Sequence, residues 1–175
     1  IPLTITLDAR RAMSATPFAA AFSARSGNGL FRLPAKGLTA PDDLFLDTLT
    51  LTIAVHLLTP TNLSPCPSHL LTGTALASMM RVRPGRYQPE ALLNRKTPYA
   101  DEESWQEALI ANDARALAQA AIFANQLAES HDLSTLFKVI RQSKSAAACE
   151  QAFGRSFGGS PHELFVNWVA QNAKR

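Results

Sequence analysis

The chain has 175 residues, 46% of them hydrophobic and 18% charged, with a formal net charge of +3. That size and apolar content fit one folded domain and exclude a disordered chain. Thr, Ser or Pro interrupts each apolar stretch before the roughly 20 residues of a membrane span, and the basic residues lack the dense stripe with interleaved aromatics of a nucleic-acid binder.

The first residue is Ile1 rather than Met, as expected of a mature product or a piece cut from a longer protein, and no signal-peptide pattern is visible. Pro2-Leu3-Thr4-Ile5-Thr6-Leu7 alternates apolar and polar side chains, which predicts a half-buried strand. Gly27-Asn28-Gly29 is a turn signal before Leu30-Phe31-Arg32-Leu33-Pro34, a short strand stopped by proline. The Ala-rich stretch around Phe18 to Ser23 reads as a further strand paired through that turn, with a helical turn as its alternative.

After Pro41 the pattern turns helical. Asp42 or Asp43 caps a helix through Leu44, Phe45, Leu49, Ile53 and His56 that Pro60 ends, although Thr48, Thr50 and Thr52 favour strand by propensity. Pro65 and Pro67 mark a loop, and Ser68 is placed to cap a second helix through Leu70, Leu71, Leu76 and Met79. Residues 81–101 are an irregular connector with a short helix near Glu90. Asp101-Glu102-Glu103-Ser104-Trp105 then starts a helix, its acids at the positive end of the dipole. Residues 114–129 are Ala-rich and place Leu117, Ala121, Ala124 and Leu127 on one face. Asp132 starts a helix through Leu136, Phe137 and Ile140. The next helix spans residues 144–153 with Gly154 at its C′ position, and Phe157-Gly158-Gly159 is a turn. Ser160-Pro161-His162-Glu163 is a capping box with proline at N1, ahead of Leu164, Phe165, Trp168 and Val169. The expected fold is α+β and a single domain over residues 1–175: a small N-terminal sheet (residues 1–40) followed by a mostly helical bundle (residues 41–175).

Candidate chemistry starts from His56, His69, His131 and His162. A helical zinc site needs two histidines one turn apart, a third ligand from a neighbouring helix and a carboxylate to activate the bound water. The residue after His56 is Leu57, and one turn on is Pro60. A glycine-rich phosphate loop is absent, and no local signature of a nucleophile–His–acid triad appears.

The order of elements nevertheless resembles the gluzincin-type zinc metallopeptidases. Cys149-Glu150-Gln151-Ala152-Phe153-Gly154, followed by the capping box and Trp168, is similar to the tail of those domains. Upstream, Val55-His56-Leu57-Leu58-Thr59-Pro60 stands where they carry His-Glu-x-x-His. His69-Leu70-Leu71-Thr72-Gly73-Thr74-Ala75 stands where they carry Trp-Leu-x-Glu-Gly-x-Ala. The resemblance implies a zincin-like fold with a vestigial site. His56 keeps the first ligand, Leu57 replaces the catalytic glutamate, Pro60 the second histidine and Thr72 the glutamate ligand. It implies no metal, no cofactor and no peptidase activity, but a protein or peptide partner bound by an inherited groove. The alternative is a hydrolase with a rearranged site around His56 and His69, which requires an acid from elsewhere. Arg81, Arg83, Arg86 and Trp105 are further candidates for surface contacts, with ordinary solvation and ordinary packing as the plain alternatives. Cys66 and Cys149 are either bridged or two buried thiols. A bridge, together with low charge and abundant Ser, Thr and Ala, leans towards an extracytoplasmic bacterial protein.

Overall fold

Asp42 accepts a hydrogen bond from the Phe45 amide (2.8 Å) and so opens the first long helix, α1, Asp43–Leu58. Its threonines do not force a strand because each hydroxyl folds back on the helix. Thr48 donates to the Leu44 carbonyl, Thr50 to Leu46 and Thr52 to Thr48, all at 2.8 Å. The structure, a computed structural model, describes residues 3–12, 30–59, 65–93 and 99–172. Pro60, the segment around Phe18 to Ser23 and the Gly27-Asn28-Gly29 turn lie outside the described residues.

Strands β1 (Thr4–Asp8) and β2 (Leu30–Pro34) form a two-stranded parallel sheet, with Ile5 opposite Phe31 and Leu7 opposite Leu33. Parallel pairing requires a crossover rather than a tight turn between them. The alternation in β1 is incomplete, since Leu7 is 59% exposed. In β2, Phe31 and Leu33 are buried and pack with Phe45 of α1 in a small cluster that seats the sheet on the helices.

The remaining described elements are helical: α2 (Ser68–Val82), α3 (Pro89–Leu93), α4 (Glu102–Ile110), α5 (Ala114–His131), α6 (Leu133–Gln142), α7 (Ala146–Phe157) and α8 (Pro161–Asn172). The expected α+β class is therefore correct at the level of a small sheet and a helical bundle. Central to the bundle is the crossing of α2 with Ala-rich α5. Gly73 makes this crossing possible, because a Cβ there would stand 2.2 Å from the Ala120 carbonyl oxygen. Trp105, Phe123 and Phe165 are fully buried in ring contact with His69 of α2. Gln119 of α5 accepts from the Tyr99 amide (2.7 Å) and donates to the Tyr99 carbonyl (2.9 Å), which pins the connector before α4.

Two expected helix ends are corrected. Ser68 is the first residue of α2 rather than its cap. Pro67 holds the N-cap position without a side-chain bond, and the Ser68 hydroxyl lies 3.4 Å from Gln106 Oε1 instead. Helix α7 runs past Gly154 to Phe157 and ends at Gly158, whose φ of 82° suits glycine. The extra turn sets Phe157 against Phe153 with the rings tilted by 35° and their centroids 4.5 Å apart, and both rings are buried. That burial outweighs the modest helix penalty of one interior glycine. The capping box at α8 forms as expected: the Ser160 amide donates to Glu163 Oε2 (2.8 Å) and the Glu163 amide to Ser160 Oγ (3.1 Å). Cys66 and Cys149 are bridged, with Cα atoms 5.5 Å apart, so the lead into α2 is tied to α7.

Candidate functional site

Helix α1 presents His56 inward and Leu57 outward. His56 is 2% exposed and meets Phe31 of β2 edge-on, centroids 5.7 Å apart, and neither ring nitrogen has a hydrogen-bond partner. Leu57, about 100° further round the helix, is 41% exposed. Thr72 is buried in α2. These side chains do not fit a zinc ion. One imidazole, sealed against a phenylalanine, and one hydroxyl supply neither the ligand number nor the charge, and leucine has no basic atom to take a proton from water. Among the described residues no group of three His, Cys, Asp or Glu side chains is arranged to hold a metal ion.

His69 sits in a different environment. It is fully buried in α2 and stacks on Trp105 (4.7 Å, 19°), which stacks in turn on Phe165 (4.6 Å, 16°). Trp105 is thus a core residue, its indole N–H donating to the Ala116 carbonyl at 3.0 Å. The acid that a rearranged site would require does stand beside His69. Glu102 Oε1 lies 3.6 Å from His69 Nδ1, outside hydrogen-bond reach, while Glu102 Oε2 lies 2.6 Å from Nδ1 of the exposed His162. Burial pulls His69 down to about 4, an effect that the Glu102 charge only partly offsets. At neutral pH it is an uncharged ring without a hydrogen bond on either nitrogen. Glu102 therefore serves His162, linking the starts of α4 and α8.

The arginines are engaged rather than free. Arg83 Nε lies 2.7 Å from Asp47 Oδ1, in a contact whose N–H is misaligned for a hydrogen bond, and Arg83 Nη2 meets Asp43 at 2.6 Å. Arg86 reaches Asp43 (3.2 Å) and Asp47 (3.3 Å). Asp47 is buried, so this four-membered cluster holds the end of α2 to the start of α1. Arg81 makes a long, exposed contact with Asp132 at 3.8 Å. The sequence reading missed this cluster, because the partners lie about forty positions apart and no spacing rule connects them.

The chain matches no family model, no curated protein and no solved structure at a significant level. The geometry must therefore carry the functional argument. The structure groups the candidates into three separate environments: His56 against Phe31, His69 in the aromatic stack with Glu102 at its rim, and the Arg83–Arg86 cluster with Asp43 and Asp47. No described contact joins His56 to His69.

Proposed function

We propose that the chain is a catalytically inactive, peptidase-like domain that acts as a protein-binding or assembly module. The observation that carries this reading is the pair His56 and Leu57. The histidine matching the first ligand of the gluzincin pattern is closed off in the core, and the neighbour at the general-base position is an exposed leucine. The zincin-like ancestry draws its support from the order of elements: strands, the His56 helix, the Thr72-Gly73 helix, the Ala-rich helix, and a last helix opening with a capping box. Gly73 has a structural reason to stand where that pattern has glycine, since α5 crosses at that point. The Cys66–Cys149 bridge suits an oxidising compartment.

A second reading, a hydrolase with a rearranged site, draws on Glu102 standing between His69 and His162. It is weaker, because His69 has no solvent access to a substrate. One measurement separates the two. Protein purified without chelator, offered excess zinc and then desalted, is expected to carry no stoichiometric metal and to leave an unfolded protein substrate intact. One zinc per chain, or cleavage abolished by His69→Phe, would overturn the inactive reading.

A further inference from the structure

The outward face of α1, turned about 100° from the buried His56 at Leu57, borders α6. There Leu57, Phe137, Lys138, Arg141 and Gln142 line a groove of about 420 Å³. Ile53, one turn before Leu57 on the same face of α1, is also exposed (38%, against 41% for Leu57). Helix α6 carries two cations and no acid, and the second half of α1 has no acid either. All 14 acidic residues of the chain lie among the described residues, and none of them forms an ion pair with Lys138 or Arg141. The nearest acids in sequence on α1, Asp43 and Asp47, are held by Arg83 and Arg86 at the other end of that helix. An apolar floor of exposed Leu57 and half-buried Phe137, with a cationic rim that no Asp or Glu pairs, is therefore complementary to a ligand with an apolar side chain and carboxylates.

We propose that the α1–α6 groove is the docking site of an acidic protein segment, which seats a large apolar side chain against Leu57 and Phe137 and sets its carboxylates on Lys138 and Arg141. This rests on the binding-module reading and names its partner. A protein segment fits better than a membrane surface. The lining is concave with two cations, whereas anionic lipid surfaces are held by clusters of about four to eight. The apolar floor also gives a side chain a place to be buried.

The test uses the full, disulfide-intact chain and methyl and amide NMR. The probe is a short capped peptide of alternating glutamate and leucine, and the control is its lysine–leucine counterpart. The expected result is saturable shifts at the Leu57 methyls and around Lys138 and Arg141. Affinity should fall about tenfold or more in the Lys138→Glu/Arg141→Glu variant, whose other resonances stay native because both residues are exposed. Equal binding of the lysine–leucine peptide overturns the proposal, as do unmoved Leu57 methyls at millimolar peptide. So does association with phosphatidylserine vesicles without peptide binding. Shifts confined to another face, such as the groove of about 220 Å³ over Trp168, overturn this site and leave the binding-module reading standing. Cleavage of the peptide overturns both.

Discussion

His69 gives the fold a specific pH dependence. Its folded value is lowered from 6.5 to about 4, chiefly by burial, so between those pH values the unfolded chain holds a proton that the folded chain refuses. Stability then rises with pH: the full contribution is present above about 6.5, declines as pH falls and is lost below about 4. At about 1.36 kcal/mol for each pH unit of difference, the loss attributable to His69 is about 3 kcal/mol. His69→Phe keeps a flat ring on Trp105 and removes the proton and two unpartnered nitrogens. The assay is urea unfolding of both proteins at intervals from pH 7 to pH 4. At pH 7 the variant should be as stable as the parent or more so. Towards pH 4 the difference should widen in its favour by about 3 kcal/mol, since replacing an unsatisfied polar group by an apolar one of similar shape carries no desolvation penalty. Parallel curves for the two proteins would refute the reasoning, because the proton would then not belong to His69.

Four further outcomes are expected from particular contacts. Gly73→Ala should destabilise by about 3 kcal/mol or prevent folding, because its methyl meets the Ala120 carbonyl at 2.2 Å; denaturant midpoints measure it. Reducing Cys66–Cys149, which closes a separation of 83 residues, should cost about 4.5 kcal/mol in the chain-entropy model, visible as a lower urea midpoint with reductant. Arg83→Ala should cost about 2 kcal/mol and more than Asp47→Asn, since only the first leaves a buried carboxylate short of a partner; thermal unfolding of the two variants gives the order. Leu57→Glu should confer neither zinc binding nor proteolysis, because the new carboxylate faces outward while His56 faces Phe31; zinc titration followed by calorimetry checks it.

Much of the fold was legible because its signals are local. Asp42, Asp101 and Asp132 each accept a hydrogen bond from an amide in the first turn of the helix that follows, and the Ser160–Glu163 box needs only four residues to be recognised. Errors arose where a tertiary contact competed with a local preference. Gly154 has the right residue type for a helix end, yet Phe157 gains more by burial beside Phe153 than the chain would by stopping early. Ser68 has the right type for a cap, but its hydroxyl is turned towards Gln106 of another helix.

The site was less legible, and α1 shows why. Residue type singled out His56, and the resemblance to the His-Glu-x-x-His pattern singled out Leu57, but the faces they occupy are set by packing. Phe31 arrives from a strand 25 positions earlier and seals the histidine, while α6 arrives from 80 positions later and makes Leu57 the edge of a groove. Sequence spacing on α1 alone fixes only that the two side chains diverge by about 100°. The cationic rim was hidden for a similar reason. Lys138 and Arg141 look like ordinary solvated charges until the ion pairs of the Asp and Glu residues are traced and none reaches them. A position that in a gluzincin pattern would activate water is here an apolar contact beside unneutralised charge. In the proposed docking, this face works through what Leu57 can bury rather than through any proton it could take up.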